Sequence, residues 1–199
     1  PAQERVVFLI PAPPYLAAFA PYTVALRKGY YKNEGVDVEI RSAAGGTDVA
    51  ARLQKGEGDL GGATGDTAIV VRPQGHFVRT VAVLGGRSLT QLVMRRDNAV
   101  YTAEGLRGKR ISVISTTDSA YYAFLGFLHA AGIRREEVLI VVGGPQGVYR
   151  NVIENKADVM AGVPDWIPPF RAAGVDIAVM QIARFFPTMA QATVAPDQR

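Results

Sequence analysis

The 199-residue sequence contains no cysteine and only two histidines, His76 and His129. Without cysteine the chain forms no disulfide and no cysteine-based zinc site. Neither histidine has a plausible serine or aspartate partner in its sequence context, and a two-histidine metal site is unsupported. A GxGxxG fingerprint and a P-loop are also missing. We therefore expect no catalytic residue, no metal site and no cofactor, and we do not expect an enzyme.

Long apolar runs and runs of one charge are absent too. No apolar run approaches the roughly 20 residues that span a bilayer. The net charge of +4, from 22 basic and 18 acidic residues, is spread along the chain. This spread argues against a nucleic-acid surface but suits small anionic ligands. The opening residues PAQERVV contain no signal-peptide hydrophobic core, so we expect any export signal to have been removed.

The most informative stretch runs from Ala43 to Thr67. It contains a glycine turn, a short amphipathic helix, a second glycine turn, an apolar strand and a polar turn. Thr47 or Asp48 is expected to cap the helix. Gly45 and Gly46 allow the backbone to approach a bound group closely, because neither carries a Cβ. We expect these strand-to-helix turns at the carboxyl edge of a parallel sheet.

The chain later repeats this pattern. The first copy reads LQKGEGDLGGA at 53–63, and the second reads VIENKADVMAGV at 152–163. In both copies a glycine pair opens a helix, and a polar turn leads to an aspartate just before an apolar strand. We interpret this as one architectural half used twice. It predicts two similar α/β lobes whose binding turns face each other across a cleft.

Short apolar runs between glycine, proline and polar turns predict the other strands. Val36–Arg41 alternates apolar and polar residues, which is typical of a strand at a sheet edge. A helix is expected from the Ser115–Ser119 turn to Ala131, where Gly132 stops it. The remaining predicted strands are Arg5–Ile10, Phe77–Leu84, Gln91–Arg95, Arg110–Ile114, Val138–Val142, Ile177–Gln181 and Met189–Ala195.

The lobe boundary is predicted where two strands follow each other without a helix. Phe77–Leu84 and Gln91–Arg95 do so, which interrupts the strand–helix–strand rhythm. We therefore predict that lobe 1 comprises 1–86 with 187–199, and that lobe 2 comprises 87–186.

Several segments together resemble a known family. They are KGYYKNEGVDVE at 28–39, LRGKRISV at 106–113 and the Ser/Thr-rich turn that follows. In order and spacing they are similar to the nitrate/sulfonate/taurine-type solute-binding proteins of ABC importers, a family that includes the NMT1/THI5-like proteins. The resemblance covers nearly the whole chain. It implies a two-lobed α/β fold of the periplasmic-binding-protein type II, each lobe a mixed sheet flanked by helices.

The resemblance also implies what such a chain does. Family members continue for many residues after the strand that corresponds to Met189–Ala195, which returns to the first lobe. The first lobe is therefore expected to be incomplete at its C-terminus. The implied role is that of an exported, periplasmic component of an ABC importer. Its ligand would be a small organic anion, a sulfonate or carboxylate with an aromatic or apolar part, held in the inter-lobe cleft. The implied partners are this ligand and a membrane permease, with no nucleic acid, and a monomer is expected.

The turn from Ser115 to Ser119 is the strongest ligand candidate. It comprises Ser115, Thr116, Thr117, Asp118 and Ser119. Hydroxyls and free N–H groups at a helix start can hold an oxyanion, and the resembled family places ligand contacts in this turn. The alternative is ordinary helix capping, and Asp118 would repel an anion if it pointed inward.

The other candidates also have two interpretations each. The glycine turns are anion cradles or tight turns, and the proline turn is an apolar wall or a surface loop. Asp66 would contact a ligand amine or hydroxyl. Arg87 would pair with a carboxylate or sulfonate or be solvated. Trp166 would form a wall of the cleft or pack at a helix start. These candidates are Pro13, Pro14, Tyr15, Gly45, Gly46, Thr47, Thr64, Gly65, Asp66, Arg87 and Trp166.

Two alternatives to solute transport remain open at this point. One is a ligand-sensing effector domain of the LysR type, which shares the two-lobe plan. The other is a thiamine- or menaquinone-pathway enzyme of the same fold, although the thiamine-pyrimidine synthases use a cysteine-rich segment that this sequence lacks. A signal peptide in the gene would favour transport, an upstream DNA-binding helix pair would favour regulation, and turnover of a bound compound would favour catalysis.

Overall fold

The computed structural model describes residues 4–197, which form ten strands and seven α-helices joined by turns and short 3-10 segments. The strands are β1 (Glu4–Ile10), β2 (Val36–Ser42), β3 (Leu60–Thr64), β4 (Val78–Val83), β5 (Gln91–Arg95), β6 (Arg110–Val113), β7 (Leu139–Val142), β8 (Val159–Gly162), β9 (Ile177–Gln181) and β10 (Gln191–Pro196). The helices are α1 (Ala20–Arg27), α2 (Tyr30–Asn33), α3 (Gly46–Gln54), α4 (Thr67–Val71), α5 (Ser119–Ala130), α6 (Gly144–Ile153) and α7 (Pro168–Ala172).

The first sheet has the strand order β2-β1-β3-β10-β4. Strands β1, β2 and β3 are parallel, while β10 is antiparallel to both of its neighbours. The predicted edge position of β2 is therefore confirmed. Glu39 on this strand accepts hydrogen bonds from Arg41 and Arg5, which lower the pKa of its carboxyl group to about 2. Such charges on an edge strand discourage pairing with another chain.

The second sheet repeats the first with the order β7-β6-β8-β5-β9. Strands β6, β7 and β8 are parallel, and β5 is antiparallel to β8 and β9. Each sheet thus has three parallel strands, then an antiparallel strand from elsewhere in the chain, then an outer strand. The predicted repeat of one architectural half is confirmed, and so is the α/β fold with two mixed sheets flanked by helices.

The repeated aspartate has the same structural role in both sheets. The backbone N–H of Val7 donates to Asp59 Oδ2 at 2.9 Å, and that of Arg110 donates to Asp158 Oδ2 at 2.8 Å. The Arg110 guanidinium also donates to Asp158, at 2.9 Å, and lowers the pKa of that carboxyl group. The aspartate just before the third parallel strand therefore fixes that strand against the central one.

The described residues form two compact units. Unit 1 comprises 4–86 with 189–197, and unit 2 comprises 87–188. In each unit apolar side chains cover both faces of the sheet. In unit 1, Leu9 and Val49 belong to one buried cluster and Phe8 and Tyr22 to the other. The division of the natural protein into lobes with the sequence-predicted boundaries stays a prediction.

Several local expectations were wrong. The segment YYKNEG at 30–35 predicts a polar turn, but its first four residues form the short helix α2. Neither Thr47 nor Asp48 caps α3, because both lie inside the helix after Gly45, and the Asp48 carboxylate accepts the Ala44 N–H at 2.8 Å. The predicted stop of α5 is confirmed, since Gly132 has a φ of +67°. No helix within residues 4–197 has both the length and the apolar character needed to cross a membrane.

Candidate functional site

The candidate turns of each unit lie at one edge of its sheet. Parallel strands end at the same edge, so the turns after β1, β2 and β3 meet in unit 1 and those after β6, β7 and β8 meet in unit 2. In an antiparallel strand the beginning lies at this edge instead. Gln91 at the start of β5 pairs with Gly162 at the end of β8, which also brings the segment after Arg87 to the edge in unit 2.

The turns after β2 and β3 contact one another in unit 1. A Cβ added to Gly46 would lie 3.3 Å from Thr67 Oγ1. The Thr64 hydroxyl donates to Asp66 Oδ1 at 2.6 Å and lies 2.9 Å from Thr67 Oγ1. Asp66 therefore has one oxygen bound within its own turn. The role of Asp66 as a contact for a ligand amine or hydroxyl stays a prediction.

Glycine is needed at positions 45 and 65 for different structural reasons. Gly45 has a φ of +114°, which favours glycine, and it precedes the free N–H groups at the start of α3. Gly65 is required for space, because a Cβ there would lie 2.4 Å from the Cβ of Met189. The Gly65 N–H donates to the Ala190 carbonyl at 3.3 Å. The Gly65 N–H is therefore not available to an anion, whereas Gly46 and Thr47 have backbone N–H groups in the first turn of α3.

The proline turn after β1 is exposed. Pro13 and Pro14 are on the surface and Tyr15 is 83% exposed. The Pro13 carbonyl accepts the Leu16 N–H at 3.3 Å, which closes the turn. The Tyr15 ring therefore contributes no core packing, and its role as an apolar wall stays a prediction.

The turn after β6 is organised by its own hydroxyl and carboxyl groups. Ser115 Oγ accepts the Thr117 N–H at 3.2 Å and lies 3.1 Å from Thr117 Oγ1. Asp118 caps α5 by accepting the Ala120 N–H at 3.0 Å, and burial raises the pKa of its carboxyl group. An anion would compete with Asp118 for that N–H. The exposed groups of Thr116 and Thr117 are therefore better placed than the helix start itself to contact an anion.

Trp166 and Arg87 differ in how firmly they are held. Trp166 ends the 3-10 segment Pro164–Trp166 after β8, and its ring stacks on Tyr149 with 5.9 Å between centroids. Arg87 is exposed, and its guanidinium makes no ion pair with any residue of 4–197. Trp166 thus takes part in packing, as one interpretation predicted, whereas Arg87 keeps an uncommitted positive charge. Ser119 begins α5 behind its Asp118 cap.

Gln91 is a residue of this edge that sequence reasoning missed. Its side chain is only 3% exposed, and its Oε1 accepts a hydrogen bond from Gln181 Nε2 at 3.0 Å. The available signal was a glutamine opening the otherwise apolar run QLVM, since amides in such a position need a partner. No cluster of three or more histidine, cysteine, aspartate or glutamate residues that suits a metal occurs between residues 4 and 197.

Comparisons with known sequences identify the family. The profile of the family described as NMT1/THI5 like matches residues 17–195. The riboflavin-binding protein RibY of Chloroflexus aurantiacus is 30% identical over 180 residues, which cover 84% of this chain and 48% of RibY. The 4-amino-5-hydroxymethyl-2-methylpyrimidine phosphate synthase THI11 of Saccharomyces cerevisiae is 24% identical over 164 residues, 80% of this chain and 46% of the synthase. The chain spans about half the length of these relatives.

Solved structures share the fold. The periplasmic aliphatic sulphonate binding protein SsuA of Escherichia coli matches with a TM-score of 0.76 at 14% identity, over 98% of this chain and 66% of SsuA. The alkanesulfonate-binding protein SsuA of Xanthomonas axonopodis pv. citri, bound to MOPS, matches with a TM-score of 0.70 at 17% identity, over 100% of this chain and 66% of that protein. The sequence profile and the duplicated sheets agree, and the chain belongs to the NMT1/THI5-like family.

Proposed function

We propose that this chain is part of a periplasmic solute-binding component of an ABC importer, and that it captures a small organic anion such as a sulfonate or carboxylate. The proposal rests on an arrangement of turns that occurs at one edge of both sheets. In each unit polar or glycine-containing turns follow parallel strands at one edge of the sheet. Ligands of α/β proteins bind at such edges. The names of RibY and SsuA, both binding proteins, support the same class of function.

The donors at these edges are suited to an anion. The N–H groups of Gly46 and Thr47 open α3, and the exposed Thr116 and Thr117 carry hydroxyls. Arg87 adds an uncommitted positive charge that can bind two oxygens of a carboxylate or sulfonate. Oxyanions of several kinds satisfy the same donors, so the charge selects the class of ligand rather than one compound.

Aromatic rings allow the ligand an apolar part. Tyr15 is exposed at the edge of unit 1, and Trp166 stacks on Tyr149 at the edge of unit 2. Rings at these places can contact an aromatic or aliphatic portion of the ligand. Riboflavin, which RibY binds according to its name, has a large aromatic system and therefore belongs among the compounds to test.

The remaining parts of the proposal concern the whole protein. We propose an exported protein that delivers its ligand to a membrane permease and works as a monomer without nucleic acid. The sulphonate binding protein with the same fold is periplasmic according to its title, which supports the location.

A thermal-shift screen tests the ligand class. We expect MOPS, taurine or an aromatic carboxylate to raise the melting midpoint, because a ligand at 100 times its Kd stabilises the folded state by about 2.7 kcal/mol. Arg87→Gln should reduce the shift produced by these anions, whereas Arg27→Gln, at an exposed position in unit 1, should not. A chain whose midpoint responds to none of the anions and not to riboflavin would contradict the proposal.

A catalytic role is the second candidate, because THI11 is named a synthase. Among the candidate residues at the two edges, the side chains able to take part in chemistry are hydroxyls, the guanidinium of Arg87 and the carboxylates of Asp66 and Asp118. We therefore favour binding without turnover. Incubation of the chain with each compound that shifts the midpoint, followed by mass spectrometry of the recovered compound, distinguishes the two, because a binding protein returns it unchanged.

A further inference from the structure

Two buried side-chain donors of unit 2 have no hydrogen-bond partner among residues 4–197. They are Nε2 of Gln91 and Nε1 of Trp166. Buried polar groups in native proteins are nearly always paired, because an unpaired donor loses its bonds to water and gains none in exchange. Two such donors in one unit therefore need an explanation.

The two donors belong to the same face and the same edge of the second sheet. Gln91 pairs with Gly162, and the next pair on that face is Val93 with Met160. Val93 and Met160 belong to a core cluster against which Trp166 is packed. Side chains two residues apart on a strand share a face. Gln91 therefore points to the face on which Trp166 packs.

Gly162 brings the two residues together. A Cβ added to Gly162 would lie 3.4 Å from Trp166 Cδ1, the ring atom bonded to Nε1. The Gln91 side chain is directly across the strand pair from this glycine, and directly opposed residues have Cβ positions about 4.5–5.5 Å apart. The indole and the amide are thus neighbours over the end of β8.

The chemistry of the pair is that of a donor site. The Gln91 acceptor, Oε1, is already used by Gln181 Nε2 at 3.0 Å, so its NH₂ group is the free end. The indole N–H of Trp166 is a donor only. Two N–H donors without a partner favour an oxygen acceptor over an amine or ammonium group.

We propose that Gln91 and Trp166 form a subsite for an oxygen acceptor of the ligand, a carbonyl, carboxylate or sulfonate oxygen. The inference rests on the proposed function, because it names the group of the bound solute that unit 2 recognises. Both N–H groups are buried, whereas the rest of the Trp166 side chain is partly exposed. The acceptor therefore reaches them when the Trp166 ring turns on binding.

The chain offers a direct reporter of this movement, because Trp166 is its only tryptophan. MOPS, which absorbs no light in the tryptophan range, should shift the emission maximum of the wild-type chain in a saturable titration. The concentration at half-saturation should equal the Kd from calorimetry. Saturable binding with no change in emission would contradict a ring that moves.

Two variants test the donors themselves. Gln91→Glu keeps an oxygen for Gln181 and replaces the NH₂ donor by an acceptor, so MOPS binding should weaken at least tenfold. Trp166→Phe keeps an aromatic ring and removes the N–H, so binding should weaken about three- to tenfold, the range expected when one hydrogen bond is lost. The control Gln74→Glu makes the same charge change at an exposed glutamine of unit 1 and should alter the Kd less than twofold.

The outcomes separate this inference from the proposed function. If none of the screened anions and not riboflavin binds the wild-type chain, the proposed function and the subsite both fail. If a probe binds and both Gln91→Glu and Trp166→Phe bind it within twofold of wild type, only the subsite fails. The ligand-free melting midpoint of Trp166→Phe shows that the variant is folded. If Gln91→Glu does not fold, the affinity of Trp166→Phe and the emission titration decide.

Discussion

Asp118 has two opposing effects at the start of α5. Its carboxylate accepts the Ala120 N–H at 3.0 Å and so caps the helix, which typically contributes about 0.5–2 kcal/mol. Burial also raises the pKa of the same carboxyl group above its ordinary value of 3.8. A raised pKa in the folded state means that stability is lost as the pH rises from 3.8 through the folded-state pKa.

Substitution of Asp118 separates these effects. We expect Asp118→Asn to be at least as stable as wild type at pH 7, because asparagine keeps the cap oxygen without the buried charge. The difference should vanish below pH 3.8, where both side chains are neutral. Asp118→Ala should be about 1 kcal/mol less stable than Asp118→Asn, since it lacks the cap. Urea unfolding between pH 3.5 and 7.5 measures this, and an Asp118→Asn variant that is less stable at pH 7 would contradict it.

Individual hydrogen-bond partners were beyond sequence analysis. The residue types at the turns were recognisable, because serine, threonine, aspartate and glycine are typical of helix starts. Their partners depend on tertiary contacts. The Gly65 N–H is taken by Ala190, far along the chain, and Gln91 is buried beside Gln181 of another strand. Whether a donor is free for a ligand is therefore decided by residues that local patterns do not reveal.

At the scale of elements, α3 and β3 pack closely because of one glycine. A Cβ added to Gly61 would lie 2.3 Å from Val49 Cγ1 and 3.2 Å from Leu53 Cδ1. Both side chains are buried in the core of unit 1. The helix therefore lies against the strand at a distance that only glycine allows.

We expect Gly61→Ala to destabilise the folded chain by about 1–3 kcal/mol, the usual cost of overpacking a core. Gly86→Ala is the matched control, because a Cβ there has no neighbour within 4 Å. Chemical denaturation of both variants measures the effect. Equal stability of Gly61→Ala and Gly86→Ala would show that α3 shifts away from β3 without cost.

Elements were more predictable than their ends. Short apolar runs predicted the strands, because the burial of alternate or successive residues produces a local hydrophobic pattern in the sequence. The short segment Thr67–Val71, which Pro73 stops, likewise predicts a helix, and α4 has these bounds. The predicted cap of α3 by Thr47 or Asp48 was wrong, because Gly45, with a φ of +114°, is the last residue before the helix. Helix ends depend on backbone geometry that residue preference alone does not fix.

At the scale of the whole molecule, duplication is the main feature. Two sheets with the same order of strands each place their turns at one edge, and equivalent aspartates join the central and third strands. The similarity of the segments at 53–63 and 152–163 was enough to predict this repeat. The ligand was not predictable in the same way, because backbone N–H and hydroxyl groups accept many oxyanions.

Calorimetric titration tests the central claim, solute binding, most directly. The purified chain is titrated with the compound that gives the largest thermal shift, and the compound is then recovered and its mass determined. We predict a saturable heat with one site per chain, a Kd of about 1 μM or lower, equivalent to about 8 kcal/mol, and an unchanged compound. The absence of saturable heat for every compound tested, or recovery of a chemically altered compound, would contradict the account.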